Sequence, residues 1–134
     1  EVMVQAGNAW LLAGNGPGAQ RALTDAISLL GEDQAYLPDL LIDRSQAFAL
    51  QQNWRLAEQD LDRSLDLDPR NATAFRLRAV ARMNQNAFEL AVADAERAVA
   101  IAPSDIEALL VLGHTREALR TGAAVATAPP VPMP

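Results

Sequence analysis

Small and apolar side chains recur along this chain at a fixed interval of 34 residues. Residues 38–71, "PDLLIDRSQAFALQQNWRLAEQDLDRSLDLDPRN", align with residues 72–105, "ATAFRLRAVARMNQNAFELAVADAERAVAIAPSD". Pro69 and Pro103 fall at the same place near the end of each stretch. Carried forward, the frame takes in residues 106–120, which match the first half of a unit. Carried backward across a four-residue insertion, Gln34–Leu37, it takes in residues 1–33. Internal repeats of this length mark stacked supersecondary units rather than a single-core domain.

Three columns of the alignment hold only Gly, Ala or Ser. They are Gly7, Ser45, Ala79 and Gly113; then Ala19, Ala57 and Ala91; then Ala26, Ser64 and Ala98. Two antiparallel helices approach closely only where side chains are small. The columns therefore predict helix pairs in contact at these places. Asp33, Asn71 and Asp105 close the units, and Asn53 precedes Trp54; all four are candidate helix caps. Pro17 and Pro38 suit first helical turns. Gly122 suits a helix end. The signals predict seven helices, near 2–14, 17–30, 38–51, 54–67, 72–84, 87–101 and 105–120.

These residues resemble the tetratricopeptide repeat family, whose 34-residue helix–turn–helix unit has small residues at these three places and a closing Pro. The resemblance covers residues 1–120. It departs from the family pattern at Gly31, which stands in place of the Pro. Arg44 and Arg78 stand where Leu is commonest, and Arg82 and Arg116 replace an aromatic. The resemblance implies an all-α fold, an α-α superhelix (solenoid) of antiparallel helix pairs. The expected domain is 1–122, with units 1–33, 38–71 and 72–105 and a terminal helix 106–121. Residues 123–134 form a Pro-rich extended tail in this reading, either a disordered terminus or a ligand for an apolar groove.

Arg44 and Arg78 have an Asp sixteen residues on, Asp60 and Asp94, whereas the first unit has Ala6 and Ala22 at these places. Charge arrives and vanishes at both positions together. A partly buried Arg–Asp pair is expected, within units as Arg44–Asp60 and Arg78–Asp94, or between them as Asp60–Arg78.

Composition narrows the function. The chain of 134 residues is half apolar, 4% aromatic, and carries a formal charge of −6. It has 27 alanines, no cysteine and no lysine. An acidic chain is a poor non-specific binder of nucleic acid, so no nucleic-acid partner is expected. No apolar run reaches the roughly 18 residues of a membrane span. The absence of Lys with abundant Ala, Arg, Gly and Pro suggests a GC-rich, bacterial source. The start "EVMVQAG" lacks an initiator Met, so an upstream segment is expected to have been removed. A signal peptide there would place the protein in the periplasm rather than the cytoplasm.

Candidate chemistry is thin. His114 is the one histidine, and Glu117 lies a turn away, which is half a metal site at best. The glycine-rich "AGNGPG", residues 13–18, is followed by Ala19-Gln20, where a phosphate loop needs Lys and Ser/Thr. "DLDRSLDLD" lacks the glycine of a calcium loop. No cofactor, no metal and no catalytic constellation are expected, and the chain is read as a non-enzyme.

The resemblance implies instead a concave groove lined by the first helix of each pair. Carried over by position, the lining is Val4, Asn8, Leu11 and Leu12; Asp39, Ile42, Gln46, Ala49 and Leu50; Thr73, Arg76, Val80, Met83 and Asn84; then Leu110 and His114. Its apolar members would offer a protein or peptide partner a surface. Asn8, Gln46 and Asn84 would hold its backbone, and Arg76 a carboxylate. Some relatives grip a C-terminal carboxylate with Lys, Asn and Arg. This chain has Val4, Asp43, Thr73 and Leu77 at those places, and only Asn8 agrees. The function implied is a protein-interaction adaptor. The alternative is structural self-assembly into a homo-oligomer through terminal repeat faces.

Overall fold

A computed structural model describes residues 2–30 and 35–122, with side chains from Gly7 onward. Asp33, Gly31, the Val4 side chain and the tail 123–134 lie outside what is described, with the expectations made for them. Among the described residues the chain is all helix. The helices are α1 (Val2–Leu12), α2 (Gly16–Leu30), α3 (Leu37–Leu50), α4 (Trp54–Leu67), α5 (Ala72–Met83), α6 (Phe88–Ile101) and α7 (Ile106–Thr121). Every expected helix is present, with ends displaced by two residues at most. The insertion thought to be loop through Leu37 yields to α3 one residue early, where Leu37 is buried.

Caps set several of these starts. The Asn71 side chain accepts from the Ala74 amide at 3.1 Å, and Asp105 accepts from Glu107 at 3.0 Å. Each satisfies an amide that has no partner inside the helix. The Asn15 side chain does the same for Gly18 at 2.9 Å. Ends follow a shared device. Gly14, Gln52 and Asn86 occupy one position of the repeat, and all three have positive φ, +75°, +57° and +66°. The next amide in each case reaches back five residues: Asn15 to Trp10, Asn53 to Phe48, and Ala87 to Arg82, at 2.7–2.9 Å. This left-handed closure reverses the chain into the second helix of the pair.

The chain gathers into two compact parts, Glu1–Pro69 and Arg70–Pro134. In the first, α2 packs on α1 and α3, and α4 packs on α3. Its core holds Ala19, Leu23, Ala26, Leu40 and Ala47, with Leu11, Ile27 and Leu30 against them. In the second, α6 packs on α5 and α7, and α5 also touches α7. Met83, Ala91 and Ala118 form a core cluster there, with Phe88 against it. Nine of the ten small-column residues are buried, Gly113 being the exception. Contact at the columns is tight: a Cβ on Gly7 would lie 2.8 Å from Leu23.

The within-repeat Arg–Asp pairs form as forks. Arg44 donates from Nε and Nη2 to the two Asp60 oxygens at 2.8 and 2.7 Å. Arg78 makes the same pair of bonds to Asp94, both at 2.9 Å. Asp94, wholly buried, also accepts from Arg82 at 2.8 Å and Arg97 at 3.4 Å. The guanidinium carbons of Arg44 and Arg78 lie 5.7 and 5.6 Å from the Phe48 and Phe75 ring centres. The bond from Asp60 raises the Arg44 pKa above its ordinary value, against the opposing effect of burial.

Asp94→Ala strips a shared acceptor from three arginines and is expected to cost about 3–5 kcal/mol in urea unfolding. Asp60→Ala, affecting Arg44, should cost less; a loss under about 1 kcal/mol for Asp94→Ala would show the pair to be solvated. Gln52→Gly is expected to stabilise by about 1 kcal/mol, since a left-handed backbone strains a side chain but not glycine. Asn86→Gly should gain less, because Asn tolerates that conformation. Equal or negative changes in melting temperature would contradict this.

Candidate functional site

The residues expected to line a surface sit on the first helix of each pair, and the two parts of the chain position them differently. In the first part, α1 and α3 touch. Asn8 is exposed on α1, and Leu12 is 91% exposed. Leu11, one position earlier, is half-buried against the core formed by α2 and α3. On α3, Gln46 and Ala49 are half-buried, Asp39 is exposed, and Leu50 is 48% exposed.

Glycines hold these positions. A Cβ on Gly16 would lie 2.9 Å from the Ala47 carbonyl oxygen and 3.1 Å from the Leu50 Cβ. The start of α2 therefore rests directly on the last turn of α3 and fixes where Leu50 emerges. The sequence "AGNGPG" thus serves a close interhelical turn. Trp10 lies over Gly18 in the same way, 2.8 Å from where a Cβ would be.

In the second part, Arg76 Nη1 pairs with Glu107 at 2.9 Å across α5 and α7. Its Nε is buried with no acceptor, and so is His114 Nδ1. Thr73 and Asn84 are half-buried, and Asn84 Nδ2 donates to the Val80 carbonyl at 2.9 Å. Leu110 is exposed.

Three expected lining residues need correction. Ile42, Val80 and Met83 are buried, and Met83 belongs to the core cluster with Ala91 and Ala118. A first helix has neighbours on its flanks, and a large apolar side chain at the margin of its open face gains more by turning inward. The exposed lining is consequently smaller than the sequence suggested: Asn8, Leu12, Asp39 and Leu50 in the first part, with Gln46 half-buried, and Leu110 in the second, with His114 half-buried.

Two roles were not foreseen. Arg82 was noted as a replacement for an aromatic, yet it is a second arginine on Asp94. Its spacing from Arg78, one helical turn, was the available signal. Glu107, which holds Arg76, gave no sign beyond its place in the first turn of α7. Electrostatics add one feature. Asp43, half-buried on α3, has its pKa pushed from 3.8 to about 6, first by burial and then by Asp39 one turn away. Among the described residues no group of three or more His, Cys, Asp or Glu gathers as a metal site would require. No described helix is long and apolar enough to cross a membrane.

No family model matches the chain. Over 94 residues, 70% of its length, the chain is 31% identical to the human mitochondrial import receptor subunit TOM70 and spans 16% of that protein. Among solved structures it resembles the first TPR domain of Spaghetti (RPAP3) bound to the HSP90 peptide SRMEEVD. Identity there is 26% and the TM-score 0.79, covering 89% of this chain and 94% of that one. It also resembles the Arabidopsis OM64 TPR domain, at 27% identity and TM-score 0.79, covering 87% and 93%. The Sgt2 TPR domain from Aspergillus fumigatus superposes with a TM-score of 0.80 at 19% identity, covering 97% and 84%, a likeness of fold. The chain has the tetratricopeptide-type helical-repeat fold. These relatives come from human, plant and fungal sources, so they lend no support to a bacterial origin.

The raised Asp43 pKa has a definite consequence for stability. The folded chain holds this proton more tightly than the unfolded chain does. The contribution of Asp43 to stability is therefore greatest below about pH 4 and is lost as pH rises to about 6. Asp43→Asn is expected to stabilise the protein at pH 7 by on the order of 1 kcal/mol, a figure discounted for partial exposure, and to have little effect near pH 4. Equal melting-temperature shifts at the two pH values would contradict it.

Proposed function

We propose that this chain is a non-catalytic protein-interaction module that holds an extended peptide along the first helices α1 and α3. The observation that carries the reading is the exposed pair Leu12 and Leu50, set among the polar Asn8 and Gln46 on the touching helices α1 and α3. Two accessible leucines beside amide side chains suit a peptide with apolar residues and a backbone to be hydrogen-bonded. The similar Spaghetti domain bound to an HSP90 peptide supports this class of function.

The chemistry of the peptide differs in this reading. An acidic tail such as SRMEEVD needs cationic or amide partners. Here Asp43 stands at one such position, with Asp39 a turn away. The chain has no lysine at all. A neutral or basic peptide meets favourable charge on α3, and an acidic one meets repulsion.

The test is a peptide array probed with the full chain, followed by titration of the best binder and of SRMEEVD. SRMEEVD is expected to bind at least about tenfold more weakly than the selected peptide. Leu12→Asp with Leu50→Asp should abolish binding without loss of helix content, since both side chains are exposed. Tight SRMEEVD binding would overturn the charge argument. Concentration-dependent assembly lost in the double variant would favour self-assembly instead.

A further inference from the structure

Helix α7 presents a face that its counterparts in earlier repeats do not. At 3.6 residues per turn, Ile106, Leu109, Leu110, Gly113, Arg116, Glu117 and Arg120 fall within about 120° of arc centred on Gly113. All seven are exposed, Ile106 by 71% and Leu109 by 46%, and Glu117 is paired with Arg120. A Cβ on Gly113 would meet nothing within 4 Å. The equivalent Ser45 and Ala79 are buried, and so is Leu41, the counterpart of Leu109.

The molecule itself shows what covers such a face. Helix α4 covers α3 with Ala57, Asp60 and Ser64, and α6 covers α5 with Ala91, Asp94 and Ala98. Each covering helix carries the same stripe, a small residue, an Asp three positions on, and a small residue four further. The small residues permit the close approach, and the Asp receives arginine. Arg82 reaches Asp94 at 2.8 Å. Arg116 is its counterpart one repeat later, and its bond to Glu96 is 3.5 Å long between side chains both more than half exposed. Residues 123–134 contain no Asp or Glu and so offer no carboxylate side chain.

We propose that the α7 face docks a helix of a partner protein bearing this small–x2–Asp–x3–small stripe, its small residues on Gly113 and its carboxylate on Arg116. The apolar end of the face, Ile106, Leu109 and Leu110, takes the flanking apolar residues of that helix. This docking does not rest on the peptide surface of α1 and α3.

The probe is a helix-stapled, fluorescently labelled peptide with the sequence of residues 88–101, FELAVADAERAVAI, titrated against the full chain with amide spectra recorded alongside. Binding is expected, with shifts at Leu109, Gly113 and Arg116. Changing the peptide's Asp to Asn should weaken it about tenfold. Gly113→Gln should abolish binding with unchanged or raised thermal stability, because glycine is a poor residue inside a helix and the added side chain meets open space. Arg116→Gln should mimic the peptide change. Absence of binding at millimolar peptide, or binding indifferent to Gly113→Gln, overturns the proposal. Shifts confined to α1 and α3 overturn it as well. A dimer of the chain alone that Gly113→Gln dissolves would give the face to a second copy and not to a partner.

Discussion

The close contact between the two helices of a repeat governs this protein. Two helices can lie against each other so tightly only where the side chains on one side of the contact are as small as Gly, Ala or Ser. Leu23 against Gly7, with Ala57 and Ala91 almost or wholly buried, shows how little room is left. Much else follows from that constraint. Alanine is abundant because positions demand it, and rings are scarce because few positions admit them. A helix pair held at short range also brings an arginine on one helix within fork distance of an aspartate on the other. The apolar contact shields that pair in part from water, and the pair fixes the register of the contact.

Most of this was legible in the sequence because repetition multiplies weak signals. One small residue means little, whereas three columns of them at a 34-residue interval define a packing mode. The joint appearance of Arg44 with Asp60 and Arg78 with Asp94 pointed to ion pairs, and both formed within their repeats. The third guanidinium partner was harder to see, since Arg82 and Arg97 converge on Asp94 only in three dimensions. The left-handed turns at Gln52 and Asn86 were also hidden. Gly14 announces such a turn, but a glutamine at the same position does so only once the structures are compared.

The candidate surface was assigned by helix and could not be assigned by side chain. Position within the repeat named the first helices as the place to look. It could not separate Leu12, which is open to solvent, from Met83, which is core. Both are large and apolar, and both sit near the end of a first helix. The difference comes from neighbours: Met83 has Phe88, Ala91 and Ala118 around it. Surface character is thus a property of the assembled helices. The polar atoms of Arg76 and His114, and the raised Asp43 pKa, are of the same kind, because each arises from burial.

The central claim is that the α3–α4 and α5–α6 pairs are locked by Arg–Asp forks as well as by small-residue contact, so that their first helices are held in place to present their exposed faces. A double-mutant cycle on Arg78 and Asp94, with both residues changed to Ala singly and together, tests it most directly. The account predicts a coupling energy of about 2 kcal/mol or more in urea unfolding, with the double variant far less damaged than the sum of the single ones. Additive losses, with coupling within about 0.5 kcal/mol of zero, would contradict it and leave apolar packing as the sole lock.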